Sequence, residues 1–408
     1  MSKAMFKRDR RVRLFRILTF ALCVVGTAVT SLPQAPPVPK KAPVKAAPIP
    51  ARMKQVVSVC TNPPAPNDAR TAQSDPMSFG WSLFLSINCP AQPGSAQPVL
   101  WETWKPNYAV YLPGGKPPAP WGTLPPRVLL DQPEIDGFTL LDKTGKPILF
   151  EIRMNKSTFD YVVQRQLYSK AAQLQFFNDP TSAPIAFPTD SLEIKAAWLI
   201  LPPGDPRNSR YYTIQSSYVD QGGQTHRVLA GLTALHISSK VLPNWFWTTF
   251  EQVDNQVRTR APATVLIPPA VKNFNDMIHA SLPTGSVWKN YNMRGTQIDF
   301  TNPNGSPTLL SNTQVETRFQ LSSSCITCHD LATRGSQTQG RLAFIQMTNK
   351  GVQGYTGALG SPSNRYTDAF DKPVCYNGSL GAFTDCKTPN PTVVYKRMDF
   401  VWSLREAK

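Results

Sequence analysis

Cys325-Ile326-Thr327-Cys328-His329 constrains this chain more than any other stretch of it. Two thiols three positions apart on one turn of backbone, followed at once by an imidazole, form the attachment pattern of a c-type haem. Each thiol can make a thioether to a vinyl group, and the imidazole then lies over the iron. Cys325 and Cys328 are therefore the candidate attachment residues for one covalent haem c, and His329 is the candidate proximal ligand. Whatever fold surrounds the pentapeptide has to leave a pocket for it. Two other chemistries use a Cys-x-x-Cys pair. A thioredoxin-like redox motif expects a strand-to-helix setting in a βαβ unit. A zinc site expects a second ligand pair, which Cys375 and Cys386 supply at poor spacing. Both fit less well.

The start of the chain bears on the compartment. Lys3, Lys7, Arg8, Arg10, Arg11, Arg13 and Arg16 precede an uncharged run from Ile17 to Val29, long for a signal and short for a comfortable span. Residues 1–32 read as an export signal or a membrane anchor. Arg10-Arg11 hints at twin-arginine export, but that route carries folded proteins, whereas a c-type haem is attached outside the cytoplasm to an unfolded chain. General secretion is the expectation. Cys23 follows Leu22, where a lipobox wants a small residue, so no lipoprotein is expected. Residues 33–54 are rich in Pro, Ala and Lys, cannot form a helix, and favour extended polyproline geometry. They read as a stiff spacer. The expected location is the periplasm, either soluble or tethered to the cytoplasmic membrane by the N-terminal segment.

Most of the basic charge sits in the same two segments. Residues 1–54 carry twelve Lys/Arg and one Asp, so the formal net charge of +17 falls to +6 for residues 55–408. That balance is too weak for nucleic-acid binding, and no basic stripe with interleaved aromatics occurs. A mildly positive face can steer an acidic redox partner protein, although a plain solvated surface carries the same charge. Setting aside Cys23, Cys325 and Cys328 leaves Cys60, Cys89, Cys375 and Cys386, which allow three pairings. Short separations favour disulfides Cys60–Cys89 and Cys375–Cys386, as an oxidising compartment permits.

Residues 55–408 read as an α+β domain: a mainly antiparallel sheet with long loops and a few helices, and the haem-binding segment near the C-terminus. Apolar periodicity predicts helices over Phe79–Asn88 and Ser157–Phe177. Runs of β-branched and aromatic residues predict strands over Pro147–Met154, Leu192–Leu201, Tyr211–Tyr218, His226–Ile237 and Trp245–Val253, with a hairpin turn at Gly222-Gly223. The 40 prolines and 23 glycines imply many irregular connections, and hence long loops on an antiparallel sheet.

The order of WETW (Trp101–Trp104), EIRMN (Glu151–Asn155), LEIKAAW (Leu192–Trp198), LTALHISSK (Leu232–Lys240), WFWTTFEQVDN (Trp245–Asn255), LLSNTQVET (Leu309–Thr317), SSSCITCHD and DFVWSL (Asp399–Leu404) resembles a group of exported bacterial monohaem c-type cytochromes. The resemblance runs from about Phe79 to the C-terminal phrase and implies haem and compartment more than a reaction. Residues 335–390 depart from it, being longer and richer in Gly, Thr and Asn.

The group on the far side of the iron separates an electron carrier from an enzyme, because a six-coordinate haem exchanges electrons and an open position binds a small ligand. His226, His236 and His279 are the histidines besides His329. His236 is the first candidate for the distal position, lying on an apolar extended run just before Trp245, Phe246 and Trp247, which could wall a haem. His279 and His226 read as surface residues. Met347 and Met398 are the downstream methionines. Only ten residues follow Met398, too few for the C-terminal helix of a small cytochrome. A haem peptide near the end of a larger domain, whose sheet supplies one pocket wall, is expected instead. Glu102, Glu251, Asp254, Lys195 and Lys240 read first as structural charges. No Gly-rich phosphate loop, G-x-S-x-G elbow or His-Glu-x-x-His site occurs. The expected function is one-electron transfer between redox partner proteins. The alternatives are a haem enzyme with an open distal site, with His236 as acid/base, and a haem-based gas sensor.

Overall fold

Two aspartates start the described chain. Asp68 accepts the Thr71 N–H at 3.0 Å and caps α1 (Ala69–Ser74), and Asp75 accepts the Ser78 N–H at 3.4 Å, with Pro76 opening α2 (Pro76–Ile87). The computed structural model describes residues 60, 67–92, 94–95, 97–130, 140–220, 222–263, 265–317, 319–337 and 392–408, and the strands 345–348, 351–354, 374–377 and 382–384. The signal and spacer segments, with Cys23, and the Cys386 end of the second expected disulfide lie outside them. Cys60 and Cys89 are joined, with Cα atoms 5.5 Å apart, which ties residue 60 to the end of α2.

Eight strands make the main sheet: β1 (Lys105–Pro106), β2 (Val128–Leu130), β3 (Leu149–Met154), β4 (Leu192–Ile200), β5 (Thr213–Val219), β6 (Thr225–Ser239), β7 (Phe246–Gln252) and β8 (Tyr291–Gln297). All pairings are antiparallel except β2 with β5. The fold is thus α+β with a mostly antiparallel sheet. The β5–β6 hairpin turns at Gly223, whose φ of 81° suits glycine alone. A second sheet has the order β13-β12-β14-β9, from β9 (Thr333–Gly335), β12 (Val374–Asn377), β13 (Ala382–Thr384) and β14 (Thr392–Arg397). Strands β10 (Ile345–Thr348) and β11 (Gly351–Gly354) pair with each other.

The predicted helix over Ser157–Phe177 is two helices, α3 (Lys156–Gln164) and α4 (Lys170–Asn178). Gln166 takes a left-handed φ of 53°, the Leu167 N–H returns to the Val162 carbonyl at 2.8 Å, and Ser169 caps α4. The bend buries Leu167 and Tyr168, and that burial outweighs the continuous periodicity of the segment. Further on lie α5 (Asn255–Arg258) and α6 (Pro269–Ser281). His279, expected at the surface, is half-buried on α6: its Nε2 donates to the Tyr291 carbonyl at 2.8 Å and its ring meets the edge of Trp81. His226 stacks on Tyr218 and pairs with Asp220. Among the described residues no helix is long and apolar enough to cross a membrane.

The central strands alternate, so they show a different set of side chains on each face. One face carries Leu192, Ile194, Leu235, Ile237, Phe246 and Phe250 into a core shared with α2 and α6. Phe84 is fully buried there, stacked on Phe250 at 4.0 Å between ring centroids and edge-on to Trp81 and Trp288. Phe84→Ala is expected to cost about 3–5 kcal/mol of stability, read as a lower urea midpoint with little change in slope. The other face carries the candidate site.

Candidate functional site

Strand register sets one wall. Ile152, Lys195, His236 and Thr249 lie directly opposite one another across β3, β4, β6 and β7. Two residues along, Met154, Glu193, Ser238 and Trp247 form a second row on the same face, because side chains repeat with period two. Facing these rows is α7 (Cys325–Asp330), the pentapeptide plus one residue. Between sheet and helix is a cavity of about 450 Å³, bordered by Cys325, Cys328, His329, His236, Lys195 and Trp247 among others. That volume lies within the range of cofactor sites, roughly 300–1,000 Å³. The structure therefore brings all four candidate site residues to one cavity.

The short helix is pinned at both ends. Ser324 caps it, and the Gln297 side chain, at the end of β8, donates to Ser324 Oγ at 2.7 Å while accepting the Ile326 N–H at 3.1 Å. Trp402 Nε1 donates to the Cys328 carbonyl at 3.0 Å, and Arg397 pairs with Asp330. His329 Nδ1 lies 2.8 Å from the Phe400 carbonyl oxygen. A carbonyl can only accept, so Nδ1 carries the proton and Nε2 keeps its lone pair. Burial pushes His329 down to about 4, against the raising effect of the Phe400 carbonyl, so the ring is neutral at pH 7. The indole of Trp247 packs against it at 4.4 Å between centroids.

Phe400 reaches His329 through unusual backbone. Asp399 and Phe400 have φ values of 48° and 64°, and Trp245, which contacts Asp399, has 61°. Such conformations persist where surrounding contacts over-determine them. Asp399 supplies those contacts, accepting from Lys240 Nζ at 2.6 Å, the Phe187 N–H at 2.7 Å and Trp245 Nε1 at 3.3 Å. Lys240 is thus a structural charge.

His236 stands on the sheet side. Its Nε2 is shielded from solvent without a hydrogen bond, and Glu316 Oε1 lies 3.5 Å away. Burial, with smaller effects from Lys195 and His329, pushes its pKa down to about 3. Burial likewise raises Glu316 to about 8, despite the N–H of Asn312 on its other oxygen at 2.7 Å, so this carboxyl is mostly protonated at neutral pH. Cys325 and Cys328 are unpaired, and burial raises both thiols above their ordinary range. Met398 is buried in the core and does not border the cavity.

The other carboxylates considered from sequence are elsewhere. Glu102 and Glu151 share Arg127 inside the sheet, Glu151 also binds Arg153, and Tyr212 donates to Glu102. Glu251 accepts from Thr313, and Asp254 pairs with Arg210. Sequence reasoning did not single out Gln297, Glu193, Glu316, Phe400 or Trp402. Glu193 had a usable signal, since it alternates with Lys195 on a strand whose partner carries His236; Phe400 acts through its backbone and had none.

Among the described residues no group of three or more His, Cys, Asp or Glu side chains is placed to hold a metal ion by itself. Two thiols with one imidazole on a single helical turn, beside a cavity and opposite a second imidazole, can instead hold a planar group by its edge and by both faces. Compared with protein-family models, curated proteins and solved structures, the chain matches none.

Proposed function

We propose that this protein is an exported monohaem c-type cytochrome that passes single electrons between redox partner proteins in the periplasm. The observation that carries the reading is the His329 Nδ1–H donated to the Phe400 carbonyl at 2.8 Å. A metal-binding imidazole characteristically commits its other ring N–H to a fixed acceptor, which sets the tautomer and aims the free nitrogen. Cys325 and Cys328 would hold the haem by thioethers, and His329 and His236, the latter with a buried unpartnered Nε2, would ligate its iron. A bound haem supplies a one-electron iron couple; the chain supplies the position, the neutral ligands and the exclusion of water. Trp247 packs against the proximal ring, and Trp402 fixes the backbone of the second cysteine.

One observation favours a second reading. A protonated Glu316 3.5 Å from His236 could make that pair an acid/base couple beside an open iron position, as a haem enzyme acting on a small molecule requires. A haem-based gas sensor would share the open position.

The protein purified from cells competent in cytochrome maturation is expected to stay coloured after acid-acetone extraction. Its reduced spectrum is expected to be low-spin and insensitive to carbon monoxide. A colourless or zinc-bearing product overturns the haem assignment; a high-spin spectrum that shifts with carbon monoxide replaces the carrier by the enzyme or sensor.

A further inference from the structure

Among the described residues, Glu193 is the one cavity carboxyl that neither pairs with a cation nor touches a proposed iron ligand. It is 7 % exposed, on the site-facing side of β4 between Met154 and Ser238 of the neighbouring strands. Its Oε1 accepts from the Ser403 hydroxyl at 2.6 Å, and that hydroxyl is 3.2 Å from the phenol of Tyr111. Among the described residues no Lys, Arg or His nitrogen lies within 4.0 Å of it. Arg405 and Glu406, both exposed, border the same cavity and open it to solvent beside Ser403.

Resting on the haem reading above, we propose that Glu193 is a redox-linked proton site: its carboxylate takes up one proton from solvent when an electron enters the cavity and releases that proton when the electron leaves. Charge balances at each step, because the electron and the proton arrive together and depart together. The electron comes from a reduced partner and goes to an oxidised one; in the test, dithionite and ferricyanide take those parts.

The physical basis is a buried carboxyl in the cavity with no cation beside it among the described residues. Adding an electron removes one positive charge from the iron, which favours the neutral form of a carboxyl sharing the cavity. In an effective dielectric of about 20, a unit charge about 10 Å away changes a carboxyl's proton affinity on the order of tenfold. Burial holds Glu193 near 7, opposed only by the Ser403 hydroxyl, so the change straddles neutral pH. The other titratable groups facing the cavity are Lys195 on the same strand, His236 on β6, Glu316 before α7, Cys325, Cys328 and His329 on α7, and Arg405 with Glu406 on the C-terminal turn, the two thiols being taken up as thioethers in the haem reading. Burial keeps the two imidazoles neutral throughout this range. Glu316, raised to about 8 by burial, accepts from the Asn312 N–H and lies against His236, so it is the rival carboxyl that the test has to separate.

The sign follows. Below the lower of the two affinities Glu193 is neutral in both oxidation states and the midpoint potential is flat. Above the higher it is ionised in both, and its negative charge favours the oxidised iron. Between them the potential falls as pH rises, and a tenfold difference in affinity corresponds to a drop of about 59 mV.

The test is a redox titration of the coloured full-length protein from pH 5 to pH 9, wild type beside Glu193→Gln. Gln keeps an acceptor for Ser403 and cannot ionise. The wild type should show the falling step around neutral pH, and E193Q should be flat across it, with an unchanged low-spin spectrum. A step that persists in E193Q would place the proton on another group and overturn the proposal, and its loss in Glu316→Gln would assign it to Glu316. Should E193Q fold poorly, a redox difference infrared spectrum of the wild type reads the same event. A carboxylic C=O band should appear on reduction, and its absence at neutral pH sinks the idea. A colourless wild type is a different failure, that of the haem reading itself.

Discussion

Cys325→Ser together with Cys328→Ser is expected to abolish retention of colour in acid-acetone, from essentially all of the pigment in the wild type to none in the double variant. The two thiols border the same cavity and neither is in a disulfide. Ser replaces Cys nearly isosterically but forms no thioether, leaving any haem held by imidazole alone. Single variants keep one bond and should retain pigment at lower yield. The helix that carries these residues is fixed by Gln297, Trp402, Phe400 and Arg397, none of which is changed. Far-ultraviolet circular dichroism of the double variant should therefore match the wild type. Pigment that survives acid-acetone in the double variant would refute covalent attachment at these positions.

How far the sequence could be read depended on whether a feature is local. The pentapeptide is local chemistry, and its three functional side chains lie on one short helix beside one cavity. The strands containing Leu192–Ile200, Thr225–Ser239 and Phe246–Gln252 were visible because β-branched and aromatic residues cluster in them. His236 could be placed on an extended run; its position opposite Lys195 and Thr249 could not, because register is decided by partners tens of residues away. The break at Gln166 escaped periodicity because the pattern of apolar residues continues through it, and only burial of Leu167 and Tyr168 bends the chain. The Phe400 carbonyl is the extreme case. A backbone oxygen has no letter in the sequence, and its aim at His329 depends on Asp399 being held by Lys240, which lies 159 positions earlier.

His236→Ala should convert the iron from low spin to high spin and render it sensitive to carbon monoxide, the second large effect. Its Nε2 is buried with no hydrogen bond, a costly condition for a polar atom unless something else takes the lone pair. The position is the right one for a ligand, on the sheet wall of the cavity that His329 borders from α7. With His236 as the proposed ligand, removing its imidazole would open the iron to carbon monoxide. His236→Met is the informative companion: a thioether also ligates iron, so the spectrum should stay low-spin while the potential rises. The fold has little reason to respond, since β6 is paired along its length with β4, β5 and β7 and the imidazole faces the cavity instead of the core shared with α2 and α6. An unchanged low-spin spectrum in His236→Ala would reassign the sixth position. Lys195, directly opposite on β4, would then be the next residue to replace, because its amine borders the same cavity and makes no ion pair among the described residues.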